Sequence, residues 1–209
     1  MILTKICGLS TPETVTTTIE NKADYIGLVF YPDSPRHVEL ETAKYLASFI
    51  PDPVEIVGLF VDPDNALLSE TLRNVPLTMV QLHGDVSPHR VNEIKEKFNI
   101  PVMKALPVET AEDLKVAKFY DEVADWLLFD AKGEELPGGN GIAFDWTILA
   151  DYKGVRLWFL AGGLTPENVA DAIKIAKPPA VDVSSGVESE KGVKDVQKIE
   201  SFISALKQA

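Results

Sequence analysis

The sequence predicts an α/β fold, a single (β/α)8 TIM barrel with a parallel eight-stranded sheet. Three observations predict it. Eight short apolar runs begin 23 to 31 residues apart along 209 residues. Several of the segments between them carry helical spacing and recognisable N-terminal caps. No linker or shift in composition breaks the rhythm. Strands that alternate with helices form a parallel sheet buried on both faces, and eight such units are the number that closes a barrel. An open parallel sheet is the alternative. The whole chain, 1–209, is read as one domain.

In order, the strands are expected at 2–6 (ILTKI), 25–30 (YIGLVF), 54–60 (VEIVGLF), 77–81 (LTMVQ), 101–105 (PVMKA), 124–129 (ADWLLF), 155–160 (VRLWFL) and 180–183 (AVDV). Short apolar runs do not by themselves distinguish strand from buried helix; the intervening segments do. TPETVTTTIENK offers Thr11 as N-cap, Pro12 at the first helical position and Glu13 in the first turn. SPHRVNEIKEKF repeats that plan with Ser87 and Pro88, and TPENVADAIKIA with Thr165 and Pro166. VETAEDLKVAKFY also has helical spacing. The longest interruption, AKGEELPGGNGIAFDW between the sixth and seventh strands, reads as a glycine-bearing loop.

Composition limits the function classes. Apolar residues make up 45%, enough for one large core, and Asp+Glu outnumber Lys+Arg by 32 to 20, a net charge of −12. Nucleic acid and anionic membranes require clustered cations, so neither is an expected partner. Cys7 is the one cysteine. It excludes an intramolecular disulfide and a cysteine-cluster metal site, and fits a reducing, cytoplasmic setting. No apolar run approaches membrane-spanning length, and the N-terminus lacks a secretory leader pattern. His37, His83 and His89 form no metal-ligand pattern.

Active sites of this fold lie at the C-terminal ends of the strands. That rule selects Cys7, Arg36, Asp62, Gln81 with His83, Lys104, Asp130, Gly162 with Gly163, and Ser184 with Ser185 and Gly186. LAGGLTPENV and VDVSSGVES follow the last two strands. Glycines there let backbone N–H groups approach an anion, so Gly162, Gly163 and Gly186, with a hydroxyl from Ser184 or Ser185, read as a phosphate site. A short extra helix after Ser185 would point at it. The alternative is a glycine that only shapes a turn and serines that only cap a helix. Asp130, placed after a buried strand, is either a desolvated carboxylic acid able to deliver a proton or a loop cap. Cys7 is either a base facing it across the barrel or a small buried hydrophobe. Arg36, in YPDSPRHVEL, either grips a carboxylate with two parallel hydrogen bonds or pairs at the surface with Glu39. Asp62 and Asp64 suit turn and cap roles, and Lys104 suits anion binding or simple snorkelling.

Together the strings KICGL, GLVFYPDSPR, VQLHG, LLFDA, GGNGIAFDW, LAGGLTPENV and VDVSSGVE closely resemble the phosphoribosylanthranilate isomerase family of tryptophan biosynthesis. They follow that family's order over essentially the whole chain. The resemblance implies Cys7 as general base, Asp130 as general acid and Arg36 as the residue orienting an anthranilate carboxylate. It assigns phosphate binding to the GGL and SSG turns. Gln81 and His83 match a recurrent segment near the barrel mouth and count as substrate-binding candidates without a firm chemical role. The implied reaction is an Amadori rearrangement of a small phosphosugar–anthranilate by a monomer or homodimer, with no cofactor and no metal. Asn140 departs from the commoner Thr or Ser of the GG(T/S)GxxFDW loop, and SEKGVKD lacks the usual proline. Three rivals follow: a histidine-pathway aminoaldose isomerase, which carries aspartate where Cys7 stands; a triosephosphate-type isomerase, which would need a glutamate base and a histidine electrophile that this arrangement does not supply; and a non-catalytic phosphometabolite-binding barrel.

Overall fold

The computed structural model describes residues 2–132, 144–150 and 152–207. Eight parallel strands close into a barrel in simple sequential order, β1 pairing with β8. They are β1 (Leu3–Cys7), β2 (Tyr25–Val29), β3 (Glu55–Val61), β4 (Met79–His83), β5 (Val102–Val108), β6 (Trp126–Ala131), β7 (Leu157–Leu160) and β8 (Ala180–Val183). The closed barrel, not the open sheet, is therefore the fold. Helices α1 (Pro12–Glu20), α2 (Leu40–Ala47), α3 (Asn65–Asn74), α4 (Pro88–Phe98), α5 (Ala117–Asp121), α6 (Val169–Ala176) and α7 (Val196–Leu206) pack outside. None is long and apolar enough to cross a membrane among the described residues.

Local chemistry sets the helix starts. Thr11 caps α1 by accepting the Thr14 N–H, Ser87 caps α4 by accepting that of Arg90, and proline follows each cap. Asp64 caps α3, the role expected of it. Around Thr165 the outcome differs: the regular helix begins only after Asn168. The Asn168 side chain accepts from Thr165 N and donates to the Gly163 carbonyl, tying 163–168 into a turn, while Thr165 Oγ1 accepts from Glu167 N. VETAEDLKVAKFY forms a 3₁₀ segment, Ala111–Val116, before the short α5, because Asp113 folds back onto the N–H and hydroxyl of Thr110. The loop predicted at 131–146 falls mostly on 133–143, outside the described residues, as does Asn140.

Side chains alternate in and out along each strand, which splits the core in two. One set, including Ile6, Leu28, Phe60, Leu82, Leu127 and Leu160, packs between barrel and helices. The other fills the barrel: Tyr25, Val57, Met79, Met103, Leu128 and Phe159 are among its members. At its lower end Tyr25, Trp126 and Phe159 meet with centroids 5.1 to 6.2 Å apart. The upper layer combines polar groups, Lys5, Gln81, His83 and Asp182 among them, with an apolar cluster of Cys7, Val29 and Leu59, and it forms the floor of the site.

Candidate active site

Strand alternation and pairing place the candidates. Lys5 and Cys7 share the inner face of β1, and Lys5 stands in register with Asp182 of β8. On β4, Gln81 and His83 follow the inward Met79; on β6, Asp130 follows the inward Leu128. Cys7, Gln81, His83 and Asp130 thus converge on the upper barrel. Cys7 and Asp130 are both strand residues, one at the end of β1 and the other one short of the end of β6. Lys104 departs from this set. Its neighbours Met103 and Ala105 face the interior, so its own side chain turns outward, donating to the Gly84 carbonyl at 2.8 Å beside the Tyr120 ring. Its part is to brace the β4 and β5 ends.

Asp130 is the most perturbed carboxyl of the mouth. Burial, reinforced by the negative charge of Asp182, pushes its pKa up to about 7, against the opposing pull of an Ala131 N–H, Lys5 and Arg36. A carboxyl in that range holds a deliverable proton near neutrality. The Cys7 thiol is pushed up by burial and by Asp182, while Lys5 and Lys194 pull it down. His83 goes the other way. Burial, with Lys104 and Lys5 adding like-charge repulsion, lowers it to about 3, so it is neutral and its Nε2 accepts from the Gln81 amide at 2.7 Å.

Arg36 is buried and does not pair with Glu39, which instead lies 3.4 Å from His37. Its Nε and Nη2 donate to the two carboxylate oxygens of Glu188 at 2.6 and 2.9 Å. Its aliphatic stem packs over Gly8, where a Cβ would come within 2.7 Å of the Arg36 Cδ. Arg36 therefore stands directly beside the β1 end. Glu188 opens a hairpin, β9 (Glu188–Glu190) and β10 (Val193–Lys194), that replaces the extra helix anticipated after Ser185; only a 3₁₀ turn, Ser185–Val187, precedes it. From β10, Lys194 donates to Glu188 at 2.7 Å and to the carbonyl and hydroxyl of Ser184 at 2.9 and 3.1 Å. Ser184 in turn donates to the Cys7 carbonyl at 3.1 Å. A chain of contacts thus runs from Arg36 to the backbone of Cys7.

An open cavity beyond β7 and β8 is lined by Gly163, Thr165, Ser185, Gly186 and Lys198, among others. Gly162 and Gly163 take positive φ of 82° and 62°, conformations that suit glycine. Ser184 and Gly162 do not line this cavity. Ser184 is committed to Cys7 and Lys194, and Gly162 lies against the backbone of Ala131. Of the five turn residues, Gly163, Ser185 and Gly186 therefore line the cavity, and Gly162 and Ser184 lie between it and the strand ends.

Sequence reasoning passed over Lys5, Asp182, Glu188 and Lys194. Lys5 and Asp182 had a signal: each is a charge at an inward position of an otherwise apolar strand. Their pairing, 177 residues apart, had none.

A closed barrel with a thiol and a near-neutral carboxylic acid at its mouth, and a glycine-lined cavity to one side, has the layout of an acid–base enzyme for a small substrate. Residues 4–205 match the family model described as N-(5'phosphoribosyl)anthranilate (PRA) isomerase, and the chain belongs to that family. The isomerase of Paramagnetospirillum magneticum is 52% identical over 206 residues, covering 97% of this chain and 96% of that one. The Paracoccus denitrificans isomerase is 52% identical over 202 residues, covering 95% and 94%. The Thermotoga maritima phosphoribosyl anthranilate isomerase structure superposes with a TM-score of 0.91 at 38% identity, each chain covered completely. A second solved isomerase, 36% identical with a TM-score of 0.88 and full coverage of both chains, holds reduced 1-(o-carboxyphenylamino)-1-deoxyribulose 5-phosphate.

Proposed function

We propose that this chain catalyses the Amadori rearrangement of N-(5-phospho-β-D-ribosyl)anthranilate to 1-(2-carboxyphenylamino)-1-deoxy-D-ribulose 5-phosphate in tryptophan biosynthesis, with Asp130 as acid and Cys7 as base. Family membership supports the reaction. The observation that carries the residue roles is the Asp130 carboxyl, inward at the mouth with its pKa near 7. Asp130 protonates the furanose ring oxygen. The C1–O bond breaks as the anthranilate nitrogen lends its lone pair, giving a protonated Schiff base. The Cys7 thiolate removes the proton from C2, and the resulting enolamine tautomerises to the ketone. The substrate's own nitrogen is the electron sink.

The turns bearing Gly163, Ser185 and Gly186 take the phosphate, with Gly162 and Ser184 as their supports. Arg36 faces the anthranilate carboxylate from its seat on Glu188. Gln81 Oε1 is buried and, among the described residues, has no donor, an acceptor suited to a sugar hydroxyl, with neutral His83 fixing the amide. Grips at the phosphate and carboxylate ends hold the sugar between acid and base and reduce the orientational cost. The protein acts in the cytoplasm.

Asp130→Asn keeps the shape and removes the proton. Its kcat should fall by about two orders of magnitude or more, with binding of a product analogue nearly unchanged. Cys7→Ala should lose turnover comparably while folding and binding normally. Either variant retaining half the wild-type steady-state rate would remove its residue from the mechanism.

A further inference from the structure

A buried thiol is a poor base unless something stabilises its anion, and burial holds Cys7 on the thiol side. Lys5 lies two residues before Cys7 on the same face of β1, with no exposure to solvent. Across from both is Gly27 of β2, in register with Cys7. A Cβ at Gly27 would sit 2.7 Å from the Cys7 Sγ and 3.1 Å from the Lys5 Nζ. The missing side chain leaves the sulfur and the ammonium next to one another.

An ammonium has three N–H donors. Among the described residues, Lys5 spends one on Asp182, at 2.9 Å. Burial works against the Lys5 charge, but Asp182 and then Cys7 outweigh it, so Lys5 stays protonated. The charged groups felt by the thiol are Lys5, Asp182 and Lys194. Lys194 is already engaged by Glu188 and Ser184. The neighbouring β2 and β3 offer Gly27, Val29, Leu59 and Val61, none of them charged, and among the described residues Tyr31 is the one further titratable group in that apolar cluster. Asp130 and His83 also feel the Lys5 charge.

We infer that Lys5 is a positioning residue for catalysis: its ammonium is the counterion of the Cys7 thiolate, and Asp182 both keeps Lys5 charged and competes with the sulfur for it. The inference rests on Cys7 as base, yet its readout is the thiol itself. It also separates the two partners of one ion pair. A merely structural pair would be damaged in the same sense from either side. Here the two substitutions act in opposite directions on Cys7. Removing Lys5 makes the thiolate harder to form; removing the Asp182 charge makes it easier.

The test follows thiolate ultraviolet absorbance against pH, each variant read against a partner that also carries Cys7→Ala. Asp182→Asn should lower the thiol pKa. Lys5→Met should raise it by about one unit or more, a tenfold or greater loss of thiolate near neutrality, with a matching fall in kcat and a smaller change in KM. Lys5→Met leaves Asp182 buried without its cation, so the same substitution is also made in the Asp182→Asn background, where neither charge remains. If Lys5→Met alone does not fold, the double variant should still titrate higher than Asp182→Asn. An unchanged thiol pKa on removing Lys5, or shifts of one sign from both single variants, overturns the inference. An active Cys7→Ala would overturn the base assignment instead, and would leave the Lys5 effect on the thiol to be read on its own.

Discussion

At the scale of single residues, the mouth is organised by groups whose partners are far away in the chain. Arg36 is the clearest case. The local string YPDSPRHVEL allowed Glu39 as its partner, but two of its N–H donors go to Glu188, 152 residues away. A guanidinium held on one edge by a buried carboxylate is oriented before substrate arrives, which limits the entropy lost on binding. The ion pair has a pH signature. Burial alone would raise the Glu188 pKa, yet Arg36 and Lys194 outweigh it and hold it at about 2, below the ordinary 4.5. The unfolded chain then binds more protons than the folded one across that interval. The stability this contributes is present above about 4.5 and disappears as pH falls toward 2. Glu188→Gln should therefore flatten the loss of stability between those values, measured by urea unfolding at a series of pH. An unaltered slope would mean that the pair does not report on folding. Arg36→Met should weaken product-analogue binding more than binding of ribulose 5-phosphate, because only the former carries the anthranilate carboxylate; calorimetry on both ligands reads the difference.

At the scale of elements, the sequence read best where the signal was local. Thr11–Pro12 and Ser87–Pro88 start their helices where the caps demand, since each needs only its own N–H two or three residues on. Strand ends were less legible. The fourth strand was expected at 77–81 and runs Met79–His83, because an apolar run records burial, whereas a strand boundary records where the neighbour's ladder begins. The shift matters: it turns His83 from a loop residue into an inward strand residue. The β9–β10 hairpin was not legible at all. Its reason to exist is the cluster of Glu188, Lys194, Arg36 and Ser184, and no local pattern encodes it. The two turns that line the proposed phosphate cavity are coupled as well. A Cβ on Gly186 would collide with the Leu164 carbonyl, a backbone group of the other turn that cannot swing aside. Gly186→Ala should push the turns apart and weaken inorganic phosphate and product-analogue binding by about tenfold or more, with the circular dichroism spectrum preserved. Undiminished binding in calorimetry would place the phosphate elsewhere.

At the scale of the whole molecule, closure of the barrel brings the Asp130 carboxyl of β6 and the Cys7 thiol of β1 into one electrostatic unit. Lys5 and Asp182, at the β1–β8 seam, act on both. The period and number of the strands made that closure readable; the shared field was not, because it depends on side chains meeting across the ring. Its consequence is an inverted order of proton affinities. Asp130 sits at about 7, while Cys7 is raised above the ordinary thiol value of 9.0. The reactive form in the proposed mechanism is the reverse of what these values favour, a protonated Asp130 with a Cys7 thiolate. That form carries one proton between the two groups, as does its more abundant partner with the proton on sulfur. Both become available together once pH rises past the first macroscopic step, and both vanish after the second. So kcat/KM should increase as pH climbs through about 7, hold level, and fall only beyond the raised thiol pKa, although the proposed mechanism uses Asp130 as the acid. Residual turnover of Asp130→Asn has no first step left. It should rise only as the thiol ionises, with no plateau near neutrality. A wild-type profile that declines through 7, or an Asp130→Asn profile with the wild-type shape, would show that the proton is not shared across the barrel in this way.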